Sequence, residues 1–199
     1  SDLTLRAGSP ASTPPEIASA DASSRFGKFV RTHRLGSGGM GEVWKAWDTQ
    51  LSRWVALKFL KGTDEEEVAR FAHEARLAAR ISHPHIAAIY EVGQENGRHF
   101  IAMQFIDGKT LRAFPRTDVR ALVMLLHDAA KAVAYANEAN IIHRDIKPEN
   151  LMVTTRGAEH RVFVMDFGLA RATEGASDLS VSGSIVGTPA YMPPEQARG

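Results

Sequence analysis

The segment Ile141–Leu151, IIHRDIKPENL, constrains this chain more than any other stretch. Asp145, Lys147 and Asn150 are three polar side chains of different chemistry, and they fall within six residues. Pro148 sits among them, fixes its own φ and removes a backbone donor. Such a run reads as a stiff loop rather than as a helix or an inner strand. Twenty-one residues after Asp145 the apolar run Val162–Met165 ends in a second carboxylate, Asp166, followed by Phe167 and Gly168. Any fold for this chain has to present both features from a scaffold of apolar elements.

The rest of the chain can supply that scaffold. It has 199 residues, enough for one sizeable core or for two small lobes around a cleft. Hydrophobic residues make up 44% and charged residues 24%, as in ordinary globular proteins. The net charge of +1, with no basic stripe, gives no sign of a nucleic-acid partner. The absence of cysteine excludes a disulfide scaffold, cysteine-ligated zinc and a cysteine nucleophile. No apolar run reaches the roughly 18 residues needed to span a bilayer. The chain begins at Ser1 with no visible signal peptide and reads as a processed or excised piece.

Residues 1–24 are rich in Ser, Ala, Pro and Thr without periodicity and predict a flexible linker. Phe29–Phe59 is strand-like, with a turn at Asp48–Arg53. A helix is predicted next, opened by a Thr63/Glu66 capping box and an acidic first turn. Val68, Phe71, Ala72, Ala75, Ala78 and Ala79 repeat along it at helical spacing, and Pro84 marks its end. Ile86–Val92 and His99–Ile106 read as two strands joined by the turn QENG. Val119, Leu122, Val123, Leu126, Ala130, Val133 and Ala134 then trace one face of a long helix. The division predicted is a linker over 1–24, a strand-rich lobe over 25–106 and a helix-rich lobe over 107–199.

Four motifs carry the chemistry. Gly36, Gly38 and Gly41 form GxGxxG within LGSGGMGEV, a pattern that lets backbone N–H groups approach phosphates. The rival reading is a Rossmann turn, which must open a helix; here VWKAW follows and favours a strand. No GxxxxGK[ST] occurs, so a Walker A loop is excluded. Lys58 ends the strand VALK. Glu74 flanks the apolar stripe of the capped helix, where a carboxylate is costly unless paired, and Lys58 is its natural partner. Phosphoryl transfer needs an acceptor for a hydroxyl proton, a cation for the moving phosphate and an oxygen ligand for Mg²⁺. The loop holding Asp145, Lys147 and Asn150 supplies all three. His143 reads as a packed core residue. Asp166 is a second hard-oxygen ligand.

With these residues in view, the chain resembles the protein kinase family, and more narrowly the bacterial serine/threonine kinases of eukaryotic type. LGSGGMGEVW, VALK, Glu74, HRDIKPEN, DFG and GTPAYMPPEQ occur in family order from Phe26 to Gly199. The resemblance implies an α+β, two-lobed protein-kinase-like fold, with a strand-rich N-lobe carrying one helix and a partial helical C-lobe. It implies ATP and Mg²⁺ as cofactors and a protein substrate with a Ser or Thr acceptor, in signalling. It implies a location on the cytoplasmic side, with any membrane tether in parts outside this chain. The oligomeric state stays open.

The resemblance also assigns roles. Asp145 orients the acceptor hydroxyl and takes its proton, and Lys147 steadies the γ-phosphate. Asn150 and Asp166 hold Mg²⁺. Gly36, Ser37, Gly38, Gly39, Met40 and Gly41 cover the nucleotide. Lys58, paired with Glu74, contacts its phosphates. Leu35, Val43 and Ala56 lie above the adenine and Leu151 below it. Met103 is the gatekeeper, and the backbone of Gln104 and Ile106 forms the hinge, so changes to the Gln104 side chain are expected to be mild. Thr188 and the lysine of DIKPEN favour Ser/Thr over Tyr specificity. Ser180, Ser182 and Ser184 lie in the activation segment. Autophosphorylation at Ser180 or Ser182, with the phosphate paired to Arg144, is one reading; ordinary loop serines are the other.

Two departures qualify the resemblance. Pro193-Pro194-Glu195 replaces the usual Ala-Pro-Glu, and only four residues follow Glu195. The family's later C-lobe helices are not in this chain, so low stability and weak or no activity are expected of it alone. Two rival functions remain: a catalytically silent nucleotide-binding or scaffold fragment, which usually lacks Lys58, Asp145 or Asp166, and a small-molecule kinase, which generally lacks the glycine pattern and GTPAYMPPE.

Overall fold

The computed structural model describes residues 13–38, 41–60, 65–167, 189–191 and 194. Thr63 of the expected capping box, Gly39 and Met40 of the glycine loop, Ser180, Ser182, Ser184, Thr188 and Glu195 lie outside the described residues.

The N-terminal half is built on six strands: β1 (Arg25–Phe26), β2 (Phe29–Gly38), β3 (Gly41–Asp48), β4 (Arg53–Leu60), β5 (Ile89–Glu95) and β6 (Arg98–Gln104). They form one antiparallel sheet in the order β1-β2-β3-β4-β6-β5. Local chemistry sets the turns. The Asp48 carboxylate accepts from the Gln50 and Leu51 N–H groups at 3.0 and 3.1 Å and closes the β3–β4 turn at the expected place. Asn96 and Gly97 both take positive φ, the requirement of the tight β5–β6 hairpin.

Strand β4 is buried on both faces, and its period of two decides what each side chain meets. Val55, Leu57 and Phe59 join Phe26, Phe29, Ala46, Phe100 and Ala102 in one core. Ala56 faces the other way, onto Phe71 and Ala75 of helix α2 (Glu65–Ala78), with Ile101 and Met103. Lys58 shares the parity of Ala56 and therefore points to the α2 side, where it is buried.

The C-terminal half packs helix α3 (Val119–Glu138) on a small sheet of β7 (Lys109–Thr110), β8 (Leu151–Arg156) and β9 (Glu159–Val164). Asp118 caps α3 by accepting from Ala121 N–H at 2.9 Å. The long helix is present as expected, but the stripe read from the sequence is not its buried face. Val119, Val123 and Leu126 are exposed, whereas Leu125, Ala129, Ala132 and Ala136 are buried. The helix is apolar on two sides. Its small-residue side lets the backbone approach β9 closely, and that contact decides the orientation.

The linker expectation fails over its second half. Pro14 precedes a single helical turn, α1 (Pro15–Ala18), and Ile17 is 4% exposed against Val30, Trp47, Ala20 and Trp54. Asp21 caps the turn Ala22–Ser24, and Arg31 donates to the Ser23 carbonyl at 2.8 Å. One isoleucine in a polar stretch carries too little pattern to be read as core, yet Trp47 and Trp54 offer it a site.

Candidate active site

The loop of Asp145 is fixed from beneath by His143. This imidazole is 1% exposed; its Nε2–H donates to the Met165 carbonyl at 2.7 Å, and its Nδ1 accepts from Asp145 N–H at 3.3 Å. Both nitrogens are committed in the neutral form. Burial holds the imidazole below its usual pKa, against the weaker opposing pull of the Met165 bond and the two aspartates. The ring also meets the edge of Phe167, with centroids 4.7 Å apart. His143 is thus a packing and orienting residue, in keeping with its sequence reading.

Asp145 is flanked by the two groups that share its loop. Lys147 Nζ lies 2.7 Å from its Oδ2, and Asn150 Nδ2 donates to the same oxygen at 3.0 Å and to the Asp145 carbonyl at 2.8 Å. Pro148–Asn150 forms the short helical turn that brings Asn150 back over Asp145. Strand pairing then delivers Asp166. Leu151 is registered with Val164, and Met165 N–H bonds the Asn150 carbonyl at 2.9 Å. The loop and the strand-end carboxylate are thereby neighbours.

From the other half of the molecule, Lys58 Nζ reaches Asp166 Oδ1 at 2.9 Å. The expected pairing of Lys58 with Glu74 is not the one present. Glu74 lies 3.5 Å from Arg144 Nη1. Lys58 is thus paired with Asp166, while Glu74 lies beside Arg144. Arg144 and Asp166 both adopt positive φ, at 66° and 57°. Neither residue is a glycine, so this backbone is held by its surroundings, a feature that clusters at functional sites.

The described ends of the glycine hairpin adjoin the strand of Lys58, with Val43 registered opposite it. Gly38 is registered with Gly41, which has φ of 133°, so position 41 needs glycine for backbone reasons. Gly36 has no such need, since its φ is ordinary and a Cβ there would meet nothing within 4 Å. The open space beside it suits a ligand passing close to the backbone. Ala56, Met103, Ile106 and Leu151 are buried, Val43 is half-buried, and Leu35 and Ser37 are exposed. Gln104 departs from its reading: its Oε1 accepts from Ala88 N–H at 3.3 Å, and its own N–H donates to the Ala88 carbonyl at 2.8 Å. Its side chain therefore ties β6 to the segment before β5, and nothing local in the sequence signals this.

The residues fit a nucleotide with a hard divalent cation. Asp166 and the Oδ1 of Asn150 are oxygen donors at adjoining ends of the β8–β9 hairpin. Among the described residues no three His, Asp or Glu side chains converge on one metal position. Mg²⁺ binds through one or two hard-oxygen side chains of this kind together with substrate phosphates and water. A cavity of about 300 Å³ lies elsewhere, lined by Phe26, Lys28, Phe29, Glu91 and Glu95. Lys28 there is held by Glu91 at 2.6 Å, which raises its pKa, and no group of the catalytic loop lines the space.

Comparison with known proteins gives a consistent picture. The protein kinase domain family matches residues 29–199. Serine/threonine-protein kinase pkn3 of Myxococcus xanthus is 42% identical over 178 residues, covering 83% of this chain and 32% of that protein. PknJ of Mycobacterium tuberculosis is 42% identical over 186 residues, covering 89% of this chain and 31% of that protein. The chain thus spans about a third of the length of these relatives. The crystal structure of the Mycobacterium tuberculosis PknI kinase domain superposes with a TM-score of 0.63 at 32% identity, over 76% of this chain and 64% of that one. The α+β, two-lobed kinase architecture expected from the sequence is the one found.

Proposed function

We propose a function from one premise: the chain belongs to the protein kinase domain family. It transfers the γ-phosphoryl group of ATP to serine or threonine hydroxyls of protein substrates. The observation that carries this reading is the clamp on Asp145, whose Oδ2 is shared by Lys147 and Asn150 at 2.7 and 3.0 Å. A carboxylate pinned through one oxygen can use the other to orient an acceptor hydroxyl and take its proton. The nearness of Lys147 to Asp145 supports a role in steadying negative charge beside that hydroxyl. Lys58, buried and paired with Asp166, would offer a cation to the nucleotide phosphates from the opposite wall. Asp166 and Asn150 would hold Mg²⁺, which when bound supplies charge neutralisation of the phosphates. The hinge backbone at Gln104 and Ile106 and the apolar walls Val43, Ala56, Met103 and Leu151 would take the adenine.

The Glu74–Arg144 pair supports a regulated form of this activity. A phosphate on Ser180 or Ser182 would compete for Arg144 with two charges against the one of Glu74. Glu74 would then be released toward Lys58. The substrates and signalling input of the whole protein are part of the same proposal, as is its cytoplasmic-side location. Among the described residues no helix is long and apolar enough to cross a membrane.

The test is transfer of labelled phosphate from Mg-ATP to a generic Ser/Thr protein substrate. Asp145→Asn is expected to lower transfer by about 100-fold or more, the scale of one general base. Undiminished transfer in that variant would sink the mechanism.

A further inference from the structure

One charged feature beside the catalytic loop has no part in the roles above. Strand β7 pairs with β8 so that Lys109 faces Val153 and Thr110 faces Met152. This register sets the following turn, Leu111–Ala113, against the Pro148–Asn150 end of the catalytic loop, with Leu111 anchored on the lower core. Gly108 allows that approach, since a Cβ there would lie 2.3 Å from the Val153 carbonyl oxygen. Arg112 therefore has a fixed backbone, while its side chain is 61% exposed. Its Nη1 lies 3.0 Å from Oε1 of Glu149, the residue directly before Asn150.

The contact is made through one nitrogen, although a guanidinium offers five N–H donors in a planar fork. Exposed ion pairs of this kind contribute little and exchange partners readily. The sequence on either side of Arg112 is basic. Lys109, Arg112, Arg116 and Arg120 are all exposed, and the carboxylate within that stretch, Asp118, is turned into the α3 cap. Asp107 precedes the stretch, and Glu149 is the acid that faces Arg112. With Glu149 neutralised by Arg112, the ledge next to the acceptor site presents open guanidinium donors and excess positive charge.

We propose that Arg112, on this ledge, is a specificity-determining residue that selects protein substrates with an acidic residue near the phosphorylated Ser or Thr. A substrate carboxylate takes the free edge of the guanidinium in a two-bond contact. A substrate arginine meets like charge instead. This inference rests on the kinase reading above, and the experiment separates the two.

Matched peptides with one Thr acceptor and Asp, Ala or Arg at each flanking position are measured in two ways on the 199-residue chain. Fluorescence anisotropy reads peptide binding without turnover, and labelled-phosphate transfer reads KM and kcat. Tighter binding and a lower KM are expected for one Asp peptide, by about threefold to fivefold, the scale of one exposed ion pair. Arg112→Ala should erase that preference through KM alone, Arg112→Lys should keep part of it, and Arg112→Glu should turn it toward Arg peptides. A preference unchanged in Arg112→Ala overturns the proposal. So does a wild-type preference for Arg peptides that is lost in Glu149→Gln, because Glu149 would then be the reader. Failure of transfer with the anisotropy preference intact counts against the kinase reading and not against this one.

Discussion

Replacing Ile17 by Ala tests the docking of the N-terminal strap, a feature the composition of that segment argues against. Ile17 is 4% exposed, in a cluster with Val30 and Trp47 flanked by Ala20 and Trp54. The substitution removes three carbons. At about 0.8 kcal/mol per buried methylene the transfer loss is about 2.4 kcal/mol. The two tryptophan rings meet edge to face with centroids 5.1 Å apart and cannot easily collapse into the gap, so a cavity contribution adds to it. Urea unfolding followed by tryptophan fluorescence is well suited to the measurement. The three tryptophans, Trp44, Trp47 and Trp54, all lie on β3 and β4, and Trp47 touches the strap directly. Ile17→Ala should lower the unfolding free energy by about 2.5–4 kcal/mol when strap and sheet unfold together. If the strap undocks first, native emission should shift to the red, as Trp47 gains water, before the main transition moves. A variant within about 0.5 kcal/mol of the wild type, with unchanged native emission, would refute the packing argument.

Three further outcomes are expected. His143 is neutral in the fold and its pKa lies below the unfolded value near 6.5, so the unfolded chain binds more protons between the two values. Stability is therefore full above about pH 6.5 and falls as pH drops toward the native pKa; His83 is shifted the same way by burial, so the check is a shallower slope in His143→Asn than in the wild type. Gly108→Ala forces a Cβ against the Val153 backbone and should cost about 1–3 kcal/mol, with thermal melting as the readout and an unchanged Tm as the contrary result. Gln104→Ala removes the acceptor of Ala88 N–H and should cost about 1 kcal/mol in denaturant titration, where a neutral outcome would restore the milder expectation.

Much of the site could be read directly because its residues are close in sequence or tied to strong local patterns. Asp145, Lys147 and Asn150 share one short loop, so the contacts among them follow from a few backbone torsions. Asp166 ends a strand whose hairpin partner begins at Leu151, which makes its arrival beside Asn150 a matter of register. Turn chemistry at Asp48 and at Asn96-Gly97 is equally local.

What escaped the reading depends on partners distant along the chain. Whether Lys58 meets Glu74 or Asp166 is a choice between two carboxylates of like chemistry, decided by where α2 sits relative to the loop of Arg144. The orientation of α3 was decided by fit of its small residues to β9, since apolar side chains lie on both of its faces. Ile17 is core only because two tryptophans lie beneath it. By itself, the sequence determined which groups are present and the elements that carry them, because loops, strand period and turns are short-range. The tertiary structure alone decided which charges pair and which apolar faces are covered, because those energies exist only once remote segments are in contact.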